Sequence, residues 1–360
     1  MFLQLLITVG LCLPCLVYVT LKTRKFRVVR LLSEKSRAAG IAVSFLPAAG
    51  FIVYMFFRPI NSAAMLLHLT AIWVLCSLVG FIAGKIAKKK PPVYVSGITA
   101  VTLSLVLIVW GSVLASDTRK TEYTVYSGKI SEPLRIAQIS DVHLGAVFDS
   151  GGLKTRLDEI EEEKPDILVV TGDFIDSYTD VDDVEAACRA LGECKTRYGV
   201  FFIFGNHDVG TRFGRSGLET KELSLMLERY GVTVLKDDTF EIPGAVVVGR
   251  KDRSQRDRAD IAALLSGYND VLSVVLDHQP NDTKAESEAG ADLVLSGHTH
   301  GGQFFPLGLA GIYTGANELL YGSERIGDTT FIVTSGIADW ATTFRTGCYS
   351  EYVIIEVLPE

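Results

Sequence analysis

The sequence predicts an α/β layered domain behind a four-helix membrane region. Three observations carry that reading. Composition changes character near residue 117: four apolar runs lie before it, and short Val/Ile/Leu runs alternate with polar loops and amphipathic stretches after it. The charge divides at the same place. Residues 1–117 hold 12 Lys/Arg and 2 Asp/Glu, a balance of +10, whereas residues 118–360 hold 23 and 40, a balance of −17. A chain of 360 residues accommodates two such domains, 1–117 and 118–360.

The four apolar runs cover residues 3–21, 38–57, 62–84 and 92–115, each near the roughly 20 residues that cross a bilayer as a helix. The first is not patterned as a signal peptide, because its positive charges follow the apolar run instead of preceding it. Seven basic residues separate runs one and two (Lys22 to Arg37), and four separate runs three and four (Lys85, Lys88, Lys89, Lys90). Only Arg58 separates runs two and three. Basic loops stay in the cytoplasm, so both termini and all of 118–360 are expected outside it. His68 lies within the third run. With no acidic residue in any run, it reads as a helix-contact histidine bonded to a neighbouring hydroxyl such as Thr70.

In the second domain the strand candidates are 134–140, 166–173, 200–208, 271–280, 291–300, 331–336 and 352–358. Continuous Val/Ile/Leu runs mark strands buried on both faces under covering helices. Helix-like stretches "LKTRLDEIEEEK" and "DVEAACRAL" fall between them. Cys188 and Cys194, six apart on such a stretch, are about 9 Å apart on a continuous helix, beyond disulfide reach, and only a helix ending near Gly192 would allow a bridge. The acidic balance excludes a nucleic-acid partner held by its phosphates.

His143, His207, His278, His298 and His300 are all the histidines outside the membrane-length runs, and each lies just past the apolar part of a strand candidate. Asp141, Asp173, Asn206 and Asp208 share that placement. Ligand sites form at the carboxyl ends of strands in such sheets, and packing alone explains five of five poorly. Nitrogen and oxygen donors without thiolate suit Mn, Fe or Zn, with Mn the expected ion. Seven or more donors exceed one tetrahedral ion and suggest two ions sharing a carboxylate. In "GHTHGGQ" (297–303) the glycines let the backbone approach, and His298 and His300 are expected to diverge toward different ions.

"DVH", "GDFID", "GNHD", the histidine of "LDHQP" and "GHTH" resemble, in order, the five motifs of the calcineurin-like metallophosphoesterases over about residues 134–358. The "GHTHGGQ" segment is similar to the bacterial membrane-associated phosphodiesterase branch, which points to a bacterial plasma membrane. The resemblance implies two central sheets flanked by helices and hydrolysis of a phosphoester by two divalent metals. It implies Asp141, His143, Asp173 and His300 around one ion, and Asp173, Asn206, His278 and His298 around the other. It gives His207 the role of donor to the phosphate or leaving group, oriented by Asp176.

Two departures narrow the substrate. Asp176 is followed by Ser177 and Tyr178, not by the Arg-Gly of the protein-phosphatase branch, which disfavours a phosphoprotein. Where many relatives carry Asp-Asp near 250, this chain has "GRKDRSQRDR". Arg250 and Arg253 of this basic cluster form either a solvated loop or helix face or a rim for a second phosphate or an anionic headgroup, and Arg345, in "TTFRTG", is a candidate of the same kind. The expected function is a membrane-anchored dimetal phosphodiesterase of a lipid-linked or cell-envelope phosphodiester or pyrophosphate. The alternatives are a cytoplasm-facing pyrophosphatase of a nucleotide-linked lipid precursor, and a non-enzymatic sensor or transport module with a metal-binding domain.

Overall fold

The computed structural model describes residues 2–88, 93–176, 179–209 and 218–360. Lys89, Lys90, Pro92, Ser177 and Tyr178 lie outside the described residues. The chain divides into two compact units, Met1–Gly111 and Ser112–Glu360.

The first unit holds α1 (Phe2–Thr23), α2 (Arg27–Lys35), α3 (Arg37–Phe57), α4 (Pro59–Ala87) and most of α5 (Val95–Ser116). Among the described residues three helices, α3, α4 and α5, are long and apolar enough to cross a membrane, not the four expected. The described side chains of α1 form the shorter apolar segment Gly10–Thr23. The basic stretch after α1 is not a plain loop either. Nine of its residues form α2, and Ser36 then caps α3 by accepting from the Ala39 amide at 3.3 Å. His68 does not pair with Thr70: its Nδ1 lies 2.8 Å from the Ala64 carbonyl, while the Thr70 hydroxyl donates to the Leu66 carbonyl. On a helix the carbonyl four residues back is nearer than a hydroxyl two residues on.

The second unit is two mixed six-stranded sheets flanked by helices. Its strands are β1 (Arg119–Ser127), β2 (Leu134–Ile139), β3 (Ile167–Thr171), β4 (Val200–Ile203), β5 (Thr233–Val234), β6 (Asp238–Ile242), β7 (Ala245–Gly249), β8 (Leu272–Leu276), β9 (Leu293–Ser296), β10 (Gly322–Ile326), β11 (Thr329–Val333) and β12 (Glu351–Pro359). One sheet runs β1-β12-β2-β3-β4-β5, the other β10-β11-β9-β8-β7-β6. Strands β2 to β5 are parallel, as are β7, β8, β9 and β11. The carboxyl ends that carry the histidines therefore gather along one edge of each sheet.

Alternation within β3 shows why its run is continuously apolar. Ile167 and Val169 pack between the sheets, and Leu168 and Val170 pack beneath the outer helices. Those helices are α6 (Ser150–Glu162), α7 (Val181–Glu193) and α8 (Thr220–Arg229), which contribute Leu157, Leu191 and Leu227. Each such side chain stabilises by about 1.5–3 kcal/mol. A polar exception sits beneath the strand ends. Buried Gln138 donates to the Thr171 hydroxyl (3.1 Å) and, across the gap, to the Ser296 carbonyl (3.0 Å), tying the two sheets together. Cys188 and Cys194 are free, the latter at the end of α7. The apolar-run criterion missed β1, β6 and β10, edge strands whose residues are largely exposed, and also the two-residue β5 and the short buried β7.

Candidate metal centre

Asp141 and His143 follow β2, Asp173 and Asp176 follow β3, and Asn206 and His207 follow β4. His278 follows β8, and His298 and His300 follow β9. The backbone there is unusual. Among the described residues nine non-glycines have positive φ, and five of them are Asp141 (55°), His143 (39°), Asp173 (54°), His298 (69°) and His300 (49°). Each costs about 1–2 kcal/mol, so the surroundings must impose it. Cross-loop hydrogen bonds do so. The amides of Asp141 and His143 donate to the carbonyls of Gly172 (2.9 Å) and Asp173 (3.0 Å), and the Gly297 amide donates to the His278 carbonyl (3.0 Å). Glycine is needed at 205 and 297, where a Cβ would overlap the Asp173 and Asp141 carboxylates respectively.

The side chains form two groups. Asp141, His143 and His300 make one: His300 Nε2 is 3.5 Å and His143 Nε2 4.0 Å from Asp141 Oδ1, and the two rings stack at 5.2 Å. Asp173, His278 and His298 make the other, with His278 Nε2 3.1 Å from Asp173 Oδ2. That same Oδ2 is 3.8 Å from His143 Nε2, so Asp173 faces both groups. The two histidines of the "GHTH" segment fall into different groups. Asn206 Oδ1 is buried and unbonded, as are both ring nitrogens of His143. Buried donor atoms without a protein partner fit a cation.

The charge balance fits one too. Burial drives His143 down to about 3 and His298 to about 4, and it holds His300 well below the ordinary histidine range. These rings are neutral, the form that binds a metal. Burial would also lower His278, but the Asp173 carboxylate outweighs it and raises the imidazole well above its usual range. Positive charge is thus favoured between Asp173 and His278. Burial and the neighbouring Asp173 raise Asp141 to about 6.

Asp176 and His207 sit at the border of the first group. Asp176 Oδ1 is 3.9 Å from His207 Nδ1, and its Oδ2 is 3.6 Å from His143 Nδ1. The His207 amide donates to Asp173 Oδ1 at 2.7 Å, and its ring, a quarter exposed, lies against Trp340. Sequence reasoning missed three supports. Buried Asp208 accepts from the amides of Gly205, Phe174 and Ile175 (2.9–3.0 Å), locking two loops together. Trp340 borders His207 from a loop with no strand signal. The Gln303 side chain donates to the Trp340 carbonyl (3.2 Å) and the Thr342 hydroxyl (2.7 Å), clasping that loop to "GHTHGGQ".

The expected basic rim is corrected at two of its three positions. Arg250 is 3% exposed and meets Asp277 and Glu286 at 3.0 Å and Asp282 at 3.2 Å. Arg345 is fully buried, with Nε 2.6 Å from Asp339 and further bonds to the carbonyls of Ala338 and Tyr349. Buried charge requires such pairing, and it leaves neither guanidinium for a ligand. Arg253 is exposed.

The profile of the calcineurin-like phosphoesterase family matches residues 134–302. A metallophosphoesterase of Helicobacter pylori is 28% identical over 246 residues, 66% of this chain and 64% of that protein, so this chain spans less than two thirds of its length. A metallophosphoesterase of Aquifex aeolicus is 31% identical over 199 residues, 53% of this chain and 72% of that protein. A "transmembrane protein with metallophosphoesterase domain" of Danio rerio is 28% identical over 275 residues, 71% of this chain and 61% of that protein.

Proposed function

The chain belongs to the calcineurin-like metallophosphoesterase family, and from that premise we propose that it is a membrane-anchored dimetal phosphodiesterase acting outside the cytoplasm on a lipid-linked or cell-envelope phosphodiester or pyrophosphate. The observation that carries it is one carboxylate, Asp173, facing two histidine groups. Asp141, His143, Asp173 and His300 would hold one divalent ion, and Asp173, Asn206, His278 and His298 the other. Mn is the expected metal, with Fe or Zn as alternatives. When bound, the pair supplies charge neutralisation on the phosphoryl group and activation of water. The chain's own residues do the rest. Buried neutral imidazoles and strained loops hold the donors in place before substrate arrives. His207, exposed on one side and bordered by Asp176 and Trp340, presents Nε2 to the phosphoryl or leaving-group oxygen and holds the proton that oxygen takes up. The three apolar helices keep this chemistry at a membrane, and the basic loops favour the extracytoplasmic side.

The test is a hydrolysis assay of the purified full chain with Mn²⁺ against bis-p-nitrophenyl phosphate, p-nitrophenyl phosphate and lipid pyrophosphates. Faster turnover of the diester or a lipid pyrophosphate than of the monoester is expected. Preference for the monoester would reject the diester assignment. A metal-loaded protein inert toward all three would reject the enzyme.

A further inference from the structure

Strand order places the metal centre at one particular end of its unit. Strand β12 is parallel to β1 and antiparallel to β2, so the carboxyl ends of β2, β3 and β4 lie level with the start of β1. Arg119 pairs with Glu351, and Val353 pairs with Gln138, so Glu351 stands level with Ser140, next to Asp141. At about 4.8 Å per strand, Arg119 is about 10 Å across the sheet from Ser140. Helix α5 ends at Ser116, three residues before Arg119. Its last turn is bonded there: the Ser350 hydroxyl donates to the Ala115 carbonyl at 2.9 Å. The centre therefore lies at the end of the unit where an apolar, membrane-length helix enters.

The loop 303–321 is rooted at the same end. It leaves three residues after His300, and on its return the Leu320 carbonyl accepts from the Thr299 hydroxyl (2.5 Å). The Tyr321 hydroxyl donates to Glu351 (2.9 Å), the residue paired with Arg119. Residues 303–317 contain no Asp, Glu, Lys or Arg, in a domain of balance −17. The loop exposes Phe305 (66%), Ile312 (38%) and Tyr313 (85%). Aromatic and aliphatic side chains without charge are what the headgroup layer accepts. An acidic domain gains nothing from anionic lipid, so apolar contact is the remaining driving force.

We propose that loop 303–321 lies in the headgroup layer of the bilayer that carries the chain's own helices, and that the metal centre opens beside it. The occupant follows from position: the loop root is one hydrogen bond and one strand pair from the residues that follow α5. On the phosphodiesterase reading, the substrate class is then a phosphoester borne on a lipid and presented at the membrane surface. The contact itself does not depend on turnover.

The test uses the full chain in phosphatidylcholine nanodiscs. Tyr313→Cys, and separately Ile312→Cys, carry a nitroxide label. Asp328→Cys, at the far end of β10, serves as the aqueous reference, and identically treated parent protein corrects for the six native cysteines. At 313 and 312 the label should collide more with oxygen, which concentrates in lipid, than with a water-soluble nickel chelate, and at 328 the order should reverse. Nickel dominance at 313 and 312 overturns the proposal. So does low access to both reagents, which would mean that protein, such as a second copy, covers the loop. Lipid contact in a protein that hydrolyses no phosphoester would sink the catalytic reading and leave the loop assignment standing.

Discussion

Asp173 and His278 meet at 3.1 Å, Oδ2 to Nε2, and His143 of the other histidine group lies 3.8 Å from that same oxygen. A single carboxylate so placed couples the two groups. Asp173→Asn should therefore lower metal content at both proposed sites together and abolish hydrolysis. Elemental analysis of the purified variant checks this, and retention of two ions per chain with normal turnover would refute the shared-ligand assignment.

His207 and Asp176 separate catalyst from support. His207→Ala should keep close to parental metal content while kcat falls by about 10² to 10⁴. The loss should shrink for a p-nitrophenolate leaving group, which needs little protonation. Asp176 also borders His143, so Asp176→Asn should lower kcat and weaken metal affinity by about 10- to 100-fold as well. Metal titrations beside steady-state kinetics distinguish the two outcomes; loss of metal in His207→Ala would mean that it is a ligand.

Arg345 is paired in the interior with Asp339, so its removal strands a buried carboxylate. Arg345→Met should destabilise by about 3–5 kcal/mol, read as a lower thermal midpoint. Asp339→Asn in the same chain should recover part of that loss. A raised KM with unchanged thermal stability would instead restore the role in substrate binding.

Burial, with Asp277 beside it, holds the Glu286 carboxyl well above the ordinary carboxylate range. An acid raised in the folded state binds its proton more tightly there than when unfolded. Its contribution is complete below the unfolded value near 4.3 and is lost as pH rises through the folded value. Glu286→Gln should flatten that decline, so the parent should lose thermal stability relative to the variant as pH increases. Parallel melting curves across the pH series would contradict this.

Orientation is checked by fusion reporters. One active only outside the cytoplasm should function after Glu360, and one active only inside should function after Lys89, given eleven basic residues in two loops against one in the third. The opposite pattern would turn the phosphoesterase unit toward the cytoplasm.

Much of the site was legible because metal-binding chemistry restricts residue type. Histidines and carboxylates directly after Val/Ile-rich strands have few packing explanations, and parallel strands must deliver their ends to one edge. Asp208 and Gln303 were visible as letters but not as braces, since their partners are amides and carbonyls on distant loops. Trp340 carried no signal, because nothing local marks an aromatic as the wall of a site 133 residues away from His207 in sequence. Strands β1, β6 and β10 escaped because their largely exposed residues alternate weakly, and pairing rather than apolarity makes them strands.

The sequence by itself determined the order of apolar helices before an α/β unit, the strands buried on both faces and the set of candidate donor residues, because each is written in local periodicity and residue chemistry. Tertiary structure alone decided that Asp173 faces both histidine groups, that Arg250 and Arg345 are interior ion pairs, and that the candidate metal centre lies at the end of its unit where loop 303–321 is rooted. Those facts depend on strand order and on which distant charge meets which, and periodicity carries neither.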